Sequence, residues 1–257
     1  MPRSRNRFGV DRVSDLPDSI ACHILSFLPT REAVATSLLS TRWRHLWTSI
    51  SKLDIDGSSL LNHYKPRGAE RSFVNFTNQL LLLRGASHIK ELRLQCLGIR
   101  DHVLIGTWIR VAMGHNVIKL IVEVPMTRLP VALFTSKSLV ELSLKTPVIN
   151  VPASVWLPSL QNLSLEGGEY PDDGSMLKLF TVCPSLQELE LLMWFSRKQQ
   201  VINVSHCTLQ SLKVLKYKVR SSPTILPNHE YIYTLLLSTP SLKLLISMTT
   251  GAHMLKR

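Results

Sequence analysis

Leu139-Val140-Glu141-Leu142-Ser143-Leu144 is the stretch from which the rest of the chain can be read. It has the form L-x-x-L-x-L. Successive side chains of a strand point to opposite faces, so Leu142 and Leu144 share one interior while Glu141, Ser143 and Lys145 line the other side. The form returns, with Ile or Val accepted, at Ile89-Leu92-Leu94, Val117-Leu120-Val122, Leu160-Leu163-Leu165, Leu186-Leu189-Leu191 and Leu209-Leu212-Val214. From Leu92 to Leu212 the central residues of successive copies stand 21 to 28 positions apart.

A period of roughly 20 to 29 residues built on this pattern is that of leucine-rich repeats, in which stacking buries the apolar face that one repeat cannot bury alone. The expected fold class is therefore mixed α/β, with an irregular leucine-rich-repeat solenoid and a curved parallel sheet. It is irregular because the usual Asn or Cys beyond the L-x-L is missing: Leu97 and Pro147 stand there. Asp101 to Met113 reads as a helix on the convex side, with Ile105, Trp108, Ile109 and Ala112 on one face. A poorer copy, Leu242-Leu245, comes 33 residues after Leu212 and reads as a fraying or truncated end. Upstream of the repeats, Gly57 to Gly68 is a polar loop with Pro66. Phe73, Phe76, Leu80 and Leu83 then form a helical stripe expected to cap the open edge of the first repeat.

Residues 15 to 47 carry a different rhythm. Pro17 suits the first turn of a helix and Pro29 stops one. Between them Ile20, Ile24, Phe27 and Leu28 fall on one stripe. Thr30 is placed to cap a second helix, with Glu32 in its first turn and Ala33, Val34 and Leu38 as apolar contacts. Ser40 or Thr41 can cap a third, where Trp43, Leu46 and Trp47 are spaced i, i+3, i+4. So small a bundle has too little interior for two tryptophans and this many aliphatic residues. The surplus surface calls either for a partner protein or for packing against the chain's own repeats.

Three segments narrow that choice: Asp11-Arg12-Val13-Ser14-Asp15-Leu16-Pro17-Asp18, His23-Ile24-Leu25-Ser26-Phe27-Leu28-Pro29-Thr30 and Ser37-Leu38-Leu39-Ser40-Thr41-Arg42-Trp43-Arg44-His45-Leu46-Trp47. Together they resemble the three-helix F-box of plant F-box/leucine-rich-repeat proteins. Leu129-Pro130-Val131-Ala132-Leu133-Phe134 and Val182-Cys183-Pro184-Ser185-Leu186-Gln187-Glu188-Leu189 extend the resemblance to the FBD-type subfamily. No FBD module is recognisable before Arg257, which marks a short member or an incomplete product. The resemblance implies a substrate receptor of a ubiquitin ligase that docks on the Skp adaptor and, through it, on cullin and RING subunits. It places adaptor contact at Leu16, Pro17, Ile20, Ile24, Leu25, Leu28, Val34, Leu39, Trp43, Leu46 and Trp47, some of which must instead hold the helices together. Ala21 and Cys22 replace larger aliphatic residues of relatives, which would weaken the adaptor contact. The division expected is a basic, disordered N-terminus at 1–10, an F-box at 11–56, a linker and capping helix at 57–88, and repeats at 89–257 with the last incomplete.

Composition is consistent with that reading. With 257 residues, 45% of them hydrophobic, and a mean hydropathy of +0.11, the chain can bury a core. Neither a signal peptide nor an apolar run of roughly 18 residues is present, so an intracellular protein of the nucleus or cytoplasm is expected, not a membrane protein. That outweighs the sequons at Asn75, Asn162 and Asn203. Cys22, Cys96, Cys183 and Cys207 form no CxxC pair, and no cofactor or metal site is suggested. A net charge of +12 raises nucleic-acid binding, but the basic residues are spread out. Only Lys213, Lys216, Lys218 and Arg220 cluster, which disfavours that class. The histidines are scattered, Asp172-Asp173 is turn chemistry and Gly167-Gly168 is an isolated pair, so no catalytic constellation emerges. On the open face of the strands Glu123, Glu141, Glu166, Glu188 and Glu190 would form a negative strip, suited to an unknown target protein rich in Lys or Arg. The rival to a ligase subunit is a stand-alone repeat scaffold whose first helices merely cap the solenoid.

Overall fold

The computed structural model describes residues 16–58, 67–85, 87–99, 101–124, 128–145, 151–152, 155–167, 178–194, 199–217 and 232–248. The basic N-terminus, Pro66, Pro147, Gly168, Asp172, Asp173, Lys218 and Arg220 lie outside these residues. The architecture is mixed α/β, with helices leading into a parallel sheet.

The sheet has eight strands: β1 (Lys52–Asp56), β2 (Glu91–Gln95), β3 (Lys119–Glu123), β4 (Glu141–Lys145), β5 (Asn162–Glu166), β6 (Glu188–Trp194), β8 (Ser211–Tyr217) and β10 (Leu244–Met248), side by side in that order. Every neighbouring pair is parallel, and the register places like on like: Leu53, Leu92, Leu120, Leu142, Leu163, Leu189, Leu212 and Leu245 stand in one row. A second row runs Ile55, Leu94, Val122, Leu144, Leu165, Leu191, Val214. From β1 to β8 both rows are buried, which is where the periodic leucines place the core. β7 (Gln199–Ser205) and β9 (Ile232–Ser238) pair with each other in a separate two-stranded sheet that the leucine pattern does not announce.

β1 lies within the segment read as purely helical module. Its signal is nevertheless present: Ile50, Leu53 and Ile55 have the same i, i+3, i+5 spacing as the later copies, and all three are buried.

Among the described residues the backbone and the hydroxyls, not an asparagine ladder, join the rungs. The carbonyl of Lys90 accepts both Ile118 N–H and Lys119 N–H, and Ile118, Val140, Gln161, Gln187 and Gln210 repeat the arrangement toward the next strand. Just before the first leucine of a rung sits a Ser or Thr whose hydroxyl donates to a carbonyl of the previous rung. Ser138 bonds Val117 O, Ser159 bonds Lys137 O and Ser185 bonds Pro158 O. Thr208 bonds both Pro184 O and Leu186 O, and Ser241 bonds Cys207 O.

On the other side of the sheet, α3 (Ala69–Leu83) connects β1 to β2 and α4 (His102–Met113) connects β2 to β3. Asp101 caps α4 by accepting Leu104 N–H at 3.0 Å, and Ile105, Trp108, Ile109 and Ala112 are buried as their spacing implies. Trp108 Nε1 donates to Asn78 Oδ1 at 2.7 Å and its ring meets Phe73 edge-on, so α3 packs against α4. The buried face of α3 is Phe73, Thr77, Leu80 and Leu81, with Leu83 exposed, a rotation from the expected stripe. α3 thus serves as a crossover, while the free edge of β1 is met from elsewhere: Asp54 N–H donates to Thr30 Oγ1 at 2.7 Å.

Candidate partner-docking site

Thr30 belongs to the N-terminal module, which is built from α1 (Asp18–Leu25), α2 (Thr30–Ala35) and two 3-10 turns, Thr36–Leu38 and Leu46–Ser49. Pro17 and Pro29 precede the two helices, with backbone ψ of 146° and 141°. Thr30 does not cap α2, because its hydroxyl is used on β1. The third α-helix expected at residues 40–47 is absent. The chain runs through turns to the 3-10 segment, where Thr48 Oγ1 bonds His45 O and Trp47 Nε1 bonds Arg44 O. Tryptophans at i and i+4 can reach one interior from successive turns as well as from a helix.

The module's apolar residues divide between two sides. Ala21, Leu25, Ala33, Trp43, Leu46, Trp47 and Ile50 are buried in the core that continues into β1. Ile20, Ile24, Phe27, Leu28, Leu38 and Leu39 face outward, with Phe27 76%, Leu38 87% and Leu39 70% exposed. Of the residues read from the sequence as adaptor contacts, Pro17, Ile20, Ile24, Leu28 and Leu39 are exposed, and Leu16 and Val34 are half-buried. Leu25, Trp43, Leu46 and Trp47 are enclosed by the chain itself. Phe27 and Leu38, the most exposed after folding, were not among the expected contacts, although both lie within the quoted segments.

Polar contacts hold this arrangement. Arg42 donates to Asp18 Oδ1 at 2.8 Å and to the Leu16 carbonyl, tying the loop after α2 to the start of α1. Arg31 lies over the Phe76 ring at 5.5 Å, joining α2 to α3. Burial, and secondarily Asp18, pushes the Cys22 thiol up, and its Sγ rests 3.6 Å from Leu46 O.

The open face of the sheet is a second candidate surface. A groove of about 280 Å³ over β3 to β8 is walled by Lys119, Ile121 and Glu141 on one side and by Glu188, Glu190 and Lys213 on the other. Ser143, Ser164 and Asn162 form its floor. The five glutamates expected to form a strip are not equivalent. Glu141 pairs with Lys119 at 2.7 Å and Glu166 with Lys145 at 2.9 Å. The hydrogen bond from Lys119 to Glu141 raises the lysine's pKa above its usual value. Glu188 and Glu190 accept from neutral donors, Asn162 Nδ2 at 2.9 Å and Ser164 Oγ at 3.2 Å. Glu123 stands in register with Lys145.

Among the described residues no cluster of His, Cys, Asp or Glu could hold a metal ion, and no helix is long and apolar enough to cross a membrane.

Comparison with known proteins fits this geometry. The F-box domain family matches residues 13–54, the segment that contains both helices and most of β1. An F-box/LRR-repeat protein of Arabidopsis thaliana is 33% identical over 241 residues, 90% of this chain and 60% of its own length. An F-box/FBD/LRR-repeat protein of the same plant is 38% identical over 187 residues, covering 70% of this chain and 43% of the relative. A further Arabidopsis protein, named as a possible F-box/LRR-repeat protein, is 38% identical over 216 residues, 77% of this chain and 40% of its own length. The chain thus spans 40 to 60% of these relatives. It carries an F-box domain at its N-terminus and is homologous to the plant F-box/leucine-rich-repeat proteins.

Proposed function

We propose that this protein is a substrate receptor of a Skp-cullin-F-box ubiquitin ligase, docking on the Skp adaptor through residues 11–56 and holding a target protein on a leucine-rich-repeat solenoid at 89–257. Residues 57–88 link the two, and the cullin and RING subunits are reached through the adaptor. The observation that carries the reading is the set of exposed apolar side chains, Ile20, Ile24, Phe27 and Leu28 along and just after α1 and Leu38 and Leu39 after α2, on a module whose other apolar residues are already packed. An apolar patch of this kind on a small domain marks a protein-binding surface. The role is not catalytic: the receptor raises the effective concentration of a target near activated ubiquitin. Such a complex works inside the cell.

The adaptor anchors are those exposed side chains together with Leu16 and Pro17. Leu25, Trp43, Leu46 and Trp47 support the surface from beneath. On the target face, Glu188 and Glu190 are the carboxylates left to attract a Lys- or Arg-bearing segment, because Glu141 and Glu166 already have lysine partners.

A pull-down with purified Skp adaptor tests the reading. The wild-type chain is expected to retain the adaptor, and Leu16→Ala with Pro17→Ala to lose it, since central anchors commonly contribute about 2 kcal/mol each. A wild-type chain that does not bind the adaptor would favour the second reading, a stand-alone scaffold in which the module only caps the sheet. The contact of Thr30 with the β1 edge is the observation in favour of that rival.

A further inference from the structure

Arg84 closes α3 and is 2% exposed. Its Nη2 donates to the carbonyl of Ile50 and, at 3.4 Å, to that of His88. Its Nε and Nη1 have no hydrogen-bond partner among the described residues. Burial lowers the guanidinium pKa to about 10. A buried cation with free donors is expensive to keep, and nothing in the repeat core requires one.

The Ser/Thr bonds between rungs explain the position. Ser138 and Thr208 donate to Val117 O and Leu186 O, the first apolar residues of the preceding rungs, while Ser159, Ser185 and Ser241 donate to the residue two places earlier. The equivalent acceptor on the first rung is Ile50 O, and the equivalent donor position, just before Ile89, holds His88, which has no hydroxyl. Arg84 reaches the vacant acceptor from the end of α3 instead. It differs from the serines in touching three segments at once: Ile50, which follows the 3-10 turn and opens the first rung, His88, which precedes the second rung, and α3 itself.

We propose that Arg84 is a positioning residue that locks the end of the F-box, where the first rung begins, to the start of the second rung and to α3, and so steadies the direction of the adaptor-docking side chains relative to the open face of the sheet. A serine would join two rungs; Nη2 of Arg84 joins the first rung, the approach to the second and a helix. The importance of that fixed direction for a ligase rests on the proposed function, but the lock itself does not. Thr30 on Asp54 N–H and Arg31 over Phe76 border the same seam, both of them from α2.

The test is a distance distribution by double electron–electron resonance on the full chain. Spin labels are placed at Thr41→Cys in the F-box and Arg110→Cys on α4, both exposed positions, with Cys22→Ser and Cys207→Ser removing the accessible thiols. With Arg84 present, one narrow distance is expected. Arg84→Met, matched in length but without donors, should lose that single narrow distance while far-UV circular dichroism stays unchanged, and Arg84→Lys should recover part of it. A wild-type distribution in Arg84→Met would overturn the proposal. If Arg84→Met does not fold, Arg84→Gln and Arg84→Lys decide: broadening supports the lock, and wild-type width overturns it. Adaptor capture measured on the same proteins separates the two claims, because a wild-type chain that fails to bind the adaptor refutes the ligase reading and leaves the distance result standing.

Discussion

The F-box has two apolar sides that meet different fates. One side, with Leu25, Ala33, Trp43, Leu46, Trp47 and Ile50, continues into the leucine rows of the sheet and covers the edge of β1. The other, with Ile20, Ile24, Phe27, Leu28, Leu38 and Leu39, remains in water. Composition alone does not tell the two apart, since both are apolar. What separates them is the edge strand, which presents backbone donors that must be met and so selects the side bearing Thr30. The cap and the proposed docking surface therefore use different side chains of one module.

Substitutions on the two sides should break in different observables. The largest effect on folding is expected on the inner side, where Trp47→Ala should cost about 3–5 kcal/mol, read as a lowered midpoint in urea. On the outer side, Phe27→Ala with Leu39→Ala should change stability by less than about 0.5 kcal/mol yet weaken adaptor binding by at least about tenfold, equivalent to roughly 1.4 kcal/mol. Calorimetric titration and urea melts on the same variant would separate the two. At the seam, a Cβ added to Gly57 would stand 2.8 Å from Gln95 O and 3.1 Å from Phe73 Cζ. Because the nearer neighbour is backbone, Gly57→Ala should cost about 1–3 kcal/mol and lower the melting temperature. Further along the sheet, Ser185→Ala removes the donor to Pro158 O and should cost about 1 kcal/mol, with no effect on adaptor capture.

The pH dependence of the repeats has a defined sign. Burial pushes the thiols of Cys96 and Cys183 up to about 12 from an ordinary value of 9.0. Their folded values lie above their unfolded ones, so the stability linked to them is complete below pH 9.0 and is lost as pH rises toward about 12. Cys96→Ser with Cys183→Ser should flatten that alkaline decline in urea melts.

The parallel sheet was legible because period-two leucines recurring every 21 to 28 residues permit few other arrangements. β1 was overlooked because Ile50, Leu53 and Ile55 follow directly on the F-box pattern and were absorbed into it. The rung-to-rung bonds were also visible in principle, as a Ser or Thr immediately before Leu139, Leu160, Leu186, Leu209 and Leu242. A Ser or Thr at that place does not signal a bond between rungs by itself, because its acceptor lies 21 to 34 residues away in sequence. The third helix failed because the spacing of Trp43, Leu46 and Trp47 reports a shared interior, not a helical path to it. The apolar residues of the F-box were legible, but which of them the sheet would claim depends on Thr30 meeting Asp54, a contact 24 residues apart in sequence. In the row of glutamates, cross-strand register pairs Glu141 with Lys119 and Glu166 with Lys145, a relation that a strand read by itself does not carry.

The most direct test is a hydrogen-exchange footprint of purified Skp adaptor on the full chain. The account predicts slowed exchange across residues 16–39, centred on α1, α2 and the turn after α2, with the amides of β2 to β6 unchanged. Adaptor added in excess that leaves residues 16–39 exchanging as they do alone would contradict it.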